Sequence, residues 1–484
     1  MKDGGTYMEQ IMPNGTTKSL ARYVANVTYE DIPAEHYEAL KKNIVDITGA
    51  IIAGHNADGI GQLFGLVEDW GGKEEASILH YGRKCPAHWA AFLNSAMGRG
   101  VDCEDNEENG AHPTASMWPT VLACADKVGS ISGKDMIFAY AIGRDIGQRL
   151  NFSNLDYHGF EPVNTAGVFA TTAIACKIFG LNEDQIVSAF GHALNFAGGS
   201  FQSNIDGALG VRVNQGMASL SGILAAEFAA AGVTGPHNVF EGVYNYFHLF
   251  ANDRAVPSVL LGDLGKKFFG QCVNFKRWPS CAQTAPSTDI ALDLVSEGVD
   301  YHDIDHVDIR LSPTGYNLVG GEFSLGKSPS VDAQYNVRYC FSNVMVRKHP
   351  KLEQYSNAEK ASDPEVLGLV KKINVSPEPD FNVMPVDVAD DDPLAGVLRT
   401  RGHYYRAEID VHMKDGSTIS RAADYWRGHS KKPLALEDLI EKYWDNVEYG
   451  SGIVSKGVAE EVLDKILHIE DVQSSTDYIA LLRG

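Results

Sequence analysis

The stretch VDCEDNEENGAHPTASMWPTVLACAD, Val101 to Asp126, packs five carboxylates into a loop, ends the loop at His112-Pro113 and runs directly into an apolar helix. Proline suits the first turn of a helix, so the imidazole of His112 is placed beside free backbone N–H groups and a positive helix end, a setting that attracts carboxylates. Asp102, ten positions upstream, is expected to accept a hydrogen bond from the same ring and fix its tautomer. Asp102 and His112 therefore read as an acid–base pair. A calcium loop starting at Asp102 needs Gly at its sixth position and Glu at its twelfth, where this chain has Glu107 and Pro113. A zinc site needs more than the single His112. No metal is expected here, and the plain alternative is a solvated acidic loop. The other carboxylates of the stretch are read as solvated or structural.

Outward from this stretch the pattern is helical. Apolar residues recur at three- and four-residue spacing from Ser19 to about Gly270, in segments such as CPAHWAAFLNSAMGRGV, GKDMIFAYAIGRDIGQRL and GMASLSGILAAEFAAAGVTG. Their Ala, Gly and Ser content predicts closely approaching helices. Near Phe275 the pattern changes. DHVDIRLSP and HYYRAEIDVHMKDGSTISRAADYW alternate apolar and polar residues around a Lys414-Asp415-Gly416 turn, while PSTDIALDLVSEG and SVDAQYNVRYCFSNVMVRKHP look helical. Helices return after Trp426. The expected fold is mainly α: a large all-helical domain of residues 15–274 with 431–480, and a smaller α+β lid domain of residues 275–430. DVADDDPLAG, near residue 390, reads as an exposed loop.

Composition narrows the function. The 484 residues, 44% hydrophobic, exceed what one core organises. A net charge of -22 disfavours nucleic acid and anionic membrane surfaces but leaves room for a small anionic ligand held by local cations. Seven scattered cysteines without a C-x-x-C pair, and no long apolar run or leader-like N-terminus, predict a cytoplasmic protein that does not enter a membrane. Gly59-Ile60-Gly61 continues to Phe64 where a dinucleotide fingerprint needs its third Gly. An iron–sulfur dehydratase would need clustered cysteines.

The 101–126 stretch resembles the acidic-loop and His-Pro signature of the MmgE/PrpD family, which includes 2-methylcitrate dehydratase, cis-aconitate decarboxylase and iminodisuccinate epimerase. Further resemblances follow in order: ARYVANVTYEDIP with NIVDITGAIIAG, VRVNQGMASLSGILAAEFAAAGVTGP, KRWPSCAQTAPSTDIAL, AQYNVRYC and WRGHSKKPLALEDLIEKY. The resemblance implies a homodimer without a cofactor, its site in a cleft between helical domain and lid, acting on a small di- or tricarboxylate by His-mediated proton transfer. It implies catalytic roles for Asp102, His112 and Tyr339, the last as a lid tyrosine pointing into the cleft. Asn106 falls where the decarboxylases usually carry Thr. With Glu161, Arg212 and Gln283 it forms the expected substrate-binding set.

Three positions depart from the family pattern. Val211 replaces the usual Lys, leaving Arg212 as the adjacent cation; Glu161 replaces a His after Gly-Phe; Ala285 replaces a His after Ser-Cys-x-x-Thr. Arg212 is expected to clamp a carboxylate through paired N–H donors and Tyr339 to donate to an oxyanion or leaving hydroxyl. An acidic Glu161 would disfavour three carboxylates on one substrate. The expected activity is that of a lyase resembling 2-methylcitrate dehydratase, with a dicarboxylate epimerase as the alternative. The non-enzymatic rival is a binding protein descended from such an enzyme.

Overall fold

Helices begin where the sequence supplies acceptors for their free N–H groups. Ser132 and Asp135 form a reciprocal capping box, as do Asn182 and Gln185, and each starts a long buried helix. The computed structural model describes residues 12–107, 110–154, 158–270, 273–326, 328–382 and 405–484. The loop expected near residue 390 lies outside them.

Among the described residues thirteen α-helices precede the change of pattern: α1 Thr16–Asn26, α2 Ala34–Gly54, α3 Ile60–Trp70, α4 Ala87–Gly98, α5 Thr114–Val128, α6 Gly133–Ser153, α7 Pro162–Thr165, α8 Gly167–Ile178, α9 Glu183–Phe196, α10 Gln202–Ile205, α11 Gly210–Ala230, α12 Tyr246–Ala251 and α13 Pro257–Leu261. A short hairpin, β1 Ala76–Ile78 and β2 Arg83–Cys85, interrupts them, with strands too short to show a period. The small residues do what their spacing predicts. A methyl group on Gly216 of α11 would sit 2.7 Å from the carbonyl oxygen of Phe92 on α4, and one on Gly222 would collide with Thr171 of α8. These helices therefore pack backbone against backbone around one large core. Among the described residues no helix is long and apolar enough to cross a membrane.

A second core lies under a four-stranded sheet of order β4-β3-β5-β6, made of β3 Ile304–Leu311, β4 Ile373–Pro377, β5 Ala407–Met413 and β6 Thr418–Ala423. β3 pairs parallel with β4 and antiparallel with β5, and β5 and β6 form the hairpin that the Lys414-Asp415-Gly416 turn predicts. The alternation holds: Val307, Ile309, Leu311, Ala407, Ile409 and Val411 face the core. The fold is mainly α with a smaller α+β part, and the closing helices return to the first core. Helix Leu436–Tyr449 packs on α2, where its buried Lys442 binds Asp46 and the carbonyl of Cys103.

One helical expectation changes in a way that matters for function. SVDAQYNVRYCFSNVMVRKHP forms two helices, Pro329–Gln334 and Val337–Arg347, broken at Tyr335-Asn336. The Asn336 side chain accepts a hydrogen bond from the N–H of Tyr339, 3.2 Å away, and so starts the second helix.

Candidate active site

The acidic stretch is buried. Asp102 is 4% exposed, and Glu104, Asp105 and Glu107 are fully enclosed, which overturns the picture of carboxylates in water. Each has a partner that explains it. Asp105 accepts hydrogen bonds from Asn43 (2.9 Å) and the Thr114 hydroxyl (2.6 Å), pinning the loop to the first turn of α5, and Glu107 accepts one from Asn151 (2.9 Å). Asp102 and Glu104 share the guanidinium of Arg99, at the end of α4, with Glu104 at 2.8 Å. Asp102 also receives the ammonium of Lys276 at 2.8 Å. To reach both cations Asp102 adopts a left-handed backbone, φ 51°, a conformation costing a non-glycine residue on the order of 1–3 kcal/mol.

His112 is oriented by a different carboxylate from the one expected. Its Nδ1 lies 2.9 Å from Glu104 Oε1 and 3.1 Å from the carbonyl oxygen of Asp105, whereas Asp102 is occupied by Arg99 and Lys276. Both neighbours of Nδ1 only accept, because Arg99 and Lys276 overcome the effect of burial and hold the Glu104 carboxyl well below its usual range. The proton is thereby assigned to Nδ1, which leaves a lone pair on Nε2. Among the described residues Nε2 has no hydrogen-bond partner, and His112 lines a cavity of about 510 Å³. Burial, reinforced by Arg99 and Lys276, lowers the His112 pKa to about 4, so at neutral pH the ring is an uncharged base.

The cavity lies between the two cores. The helical side contributes Arg99, Asn106 and His112, and the other side Lys276, Gln283 and Tyr335. Two hydrogen bonds between the backbones of Asn106 and Asn274, 2.8 and 2.9 Å, hold the segment that leads into Lys276 against the acidic loop. The mouth runs past α10, where Ile205 lines the cavity while 53% exposed. A separate cavity of about 290 Å³, lined by Cys103, Arg277 and Lys442 among others, has no histidine in its wall.

The remaining expected residues divide. Asn106 and Gln283 line the cavity, and the Asn106 side-chain oxygen is buried without a hydrogen-bond partner, free to meet a ligand. Glu161 stands one layer behind, accepting a hydrogen bond at 3.2 Å from Asn204, which does line it. Burial raises the Glu161 pKa to about 7, against the pull of Arg99. Arg212 is not a clamp in this cavity: its guanidinium donates to the backbone carbonyls of Asp58 and Gly100 (the latter 2.7 Å), and Arg99 supplies the guanidinium on the cavity wall.

Tyr339 also points elsewhere. Its hydroxyl donates to the carbonyl of Gln354 at 2.6 Å inside a small cluster with Cys340 and Tyr355. Tyr335, at the helix break, faces the cavity, and its hydroxyl accepts from Arg99 at 3.1 Å and lies 3.4 Å from Asp102. Burial keeps that phenol protonated by raising its pKa well above the usual value, although Arg99 opposes the shift. Tyr335→Phe is expected to lower kcat by about 10²-fold with little change in Tm, since a cavity donor is lost. Tyr339→Phe should leave kcat alone and cost about 1–2 kcal/mol in stability, because the Gln354 carbonyl loses its hydroxyl partner. Urea unfolding and steady-state rates on the pair separate the two roles.

The ligand-type atoms of Asp102, Glu104 and His112 fall within 4.8 Å of one another, as in a metal site. Arg99 and Lys276 already neutralise both carboxylates. Two positive and two negative charges fill this corner of the cleft.

The chain matches the MmgE/PrpD N-terminal domain over residues 18–258 and the MmgE/PrpD C-terminal domain over residues 278–466. It belongs to the MmgE/PrpD family. Its MmgE/PrpD relatives include a human cis-aconitate decarboxylase, 24% identical over 422 residues that cover 83% of this chain and 80% of the relative. The Aspergillus terreus cis-aconitate decarboxylase is 22% identical over 97% of this chain and 96% of its own length. The cis-aconitate decarboxylase-like protein oryM of Aspergillus oryzae is 23% identical over 98% of each chain. At this identity the MmgE/PrpD membership supports a dehydratase- or decarboxylase-type role without fixing the substrate.

Sequence reasoning missed Arg99, Glu104, Lys276 and Tyr335. Lys276 and Tyr335 lie inside the segments KRWPSCAQTAP and AQYNVRYC that carry the family resemblance, so a signal was present. Arg99, in a Gly-Arg-Gly turn, gave none.

Proposed function

We propose that this protein is a cofactor-independent lyase that removes a proton from a carbon next to a carboxylate of a small dicarboxylic acid. The observation that carries this reading is the neutral His112 ring, held at Nδ1 by Glu104 and the Asp105 carbonyl, with Nε2 free at the cavity wall. Such a base acts without first losing a proton to solvent. Lys276 and Arg99 would stabilise the charge that develops on the substrate carboxylate, and Tyr335 would protonate the departing group. The relatives are named for decarboxylation of cis-aconitate, but several features here favour fewer carboxylates. Arg99 and Lys276 are already balanced by Asp102 and Glu104, Glu161 stands behind Asn204, and Arg212 is turned to backbone.

On this reading the protein works in the cytoplasm as a homodimer, with a helical domain of residues 15–274 and 431–480 under a lid of residues 275–430. Incubation with a panel of di- and tricarboxylates in deuterated water, followed by NMR, tests it. Deuterium entering a dicarboxylate α-carbon together with an unsaturated product supports the lyase; exchange with inversion and no elimination assigns a dicarboxylate epimerase instead. Binding with neither exchange nor product would leave the non-enzymatic rival.

The pH profile gives an independent check. kcat/KM is expected to hold from pH 8 down to about 5 and to reach half its plateau near pH 4, where the buried imidazole gains its proton. An acid limb near 6.5, the ordinary histidine value, would mean that His112 is solvated. The same shift contributes stability: it is fully present above the unfolded-state value near 6.5 and is lost as pH falls toward about 4.

A further inference from the structure

The outer face of the sheet carries a side-chain cluster that takes no part in the cleft. His306 on β3 and His412 on β5 are directly opposite in the antiparallel register, with Asp308 two residues along β3 on the same face. The two imidazoles stack with centroids 4.2 Å apart and planes within 11°. Both Nε2 atoms approach one oxygen, Asp308 Oδ2, at 3.3 Å from His412 and 3.9 Å from His306. All three atoms lie within 4.8 Å of one another. A tetrahedral ion with bonds of ~2.0–2.1 Å holds its ligand atoms about 3.3 Å apart. The His412–Asp308 separation already matches that spacing, and the His306–Asp308 separation exceeds it by about 0.6 Å.

What distinguishes it from a chance pair of stacked rings is the support behind each member. His306 Nδ1 is 2.9 Å from Asp305 Oδ2, His412 Nδ1 is 3.1 Å from the Thr418 hydroxyl, and Asp308 Oδ1 accepts from Asn374 at 2.9 Å. The atoms that would not touch an ion are thus engaged by β4, β6 or the start of β3, which leaves the remaining three side by side; the stacked rings need only splay apart to aim both Nε2 lone pairs at one ion. This is the outer-shell pattern that fixes ring orientation and raises ligand basicity in metal sites. The neighbouring Asp410 is taken up by Arg310 (2.8 Å) and Ser420 (2.5 Å) and is not needed.

We propose that His306, Asp308 and His412 bind a divalent transition-metal ion of the zinc class on the outer face of the sheet, apart from the cleft. Three protein ligands leave a fourth position open, and all three side chains are partly exposed, so water completes the shell. The ion would staple β3 to β5, the two central strands.

The test uses full-length protein stripped with a chelator and titrated with Zn(II) against a chromophoric competitor, then with Co(II) for its visible spectrum. One equivalent is expected to bind more tightly than about 0.1 mM. His306→Ala and His412→Ala should each weaken it at least 100-fold, and Asn374→Leu or Thr418→Val about 10-fold. His112→Asn should leave it unchanged. Cobalt bound to the unaltered protein should shift the N–H resonances of two imidazoles, a readout that depends on no variant folding correctly. Failure to bind, binding indifferent to His306 and His412, loss on His112→Asn, or a cobalt spectrum without shifted imidazole protons each overturns the site.

Discussion

His112→Ala is expected to lower kcat by about 10²–10⁴-fold, the usual contribution of a positioned general base, on the acid that the exchange experiment identifies. The protein should stay folded. The main-chain carbonyl of residue 112 still receives the Gln215 side chain at 2.8 Å, and Glu104 keeps Arg99. Glu104→Gln should do nearly as much damage by a different route. An amide can turn its NH₂ toward Nδ1, which drives the ring proton to Nε2 and blocks the lone pair, as loss of the orienting carboxylate does in hydrolytic triads. Near-ultraviolet circular dichroism verifies folding, and steady-state rates give the effect. Turnover of His112→Ala within threefold of the unaltered protein would remove the histidine from the mechanism.

Lys276→Met should cost about 10²–10³ in kcat, because a fixed cation beside the developing negative charge is lost. A second effect identifies the cause. Lys276 helps to hold the His112 pKa down, so the acid limb of kcat/KM should move up from about 4 in this variant. Stability should fall too, since a buried carboxylate that loses a partner is costly, on the order of 3–5 kcal/mol when no other cation remains. Arg99 does remain on Asp102, which keeps the loss below that range. An unchanged acid limb would show that the lysine does not sense the histidine.

The parts of the molecule that follow from local pattern were legible in the sequence. Helical periodicity, the hairpin at Lys414-Asp415-Gly416 and the His-Pro boundary before α5 depend on near neighbours, and the structure has them where the residues indicate. The charge cluster was not legible in the same way. Asp102 sits ten residues from His112, which made it the natural partner, but Lys276 and Arg99 converge on it from distant segments and leave Glu104 to the ring. Arg212 stood next to the position of a family lysine, yet its helix directs it to the carbonyls of residues 58 and 100. The choice between two tyrosines four residues apart turned on a helix break that Asn336 creates and that apolar spacing does not reveal.

The fastening of the cleft is uneven. Prying the two walls apart at Lys276 would strand Asp102 with half its compensation, so separation at that edge is costly. The opposite part of the wall is looser: it includes the single turn of α10, with half-exposed Ile205. With Ile205 half open to water and Asn204 buried beside it, that turn is where the chamber wall passes from sealed to wet.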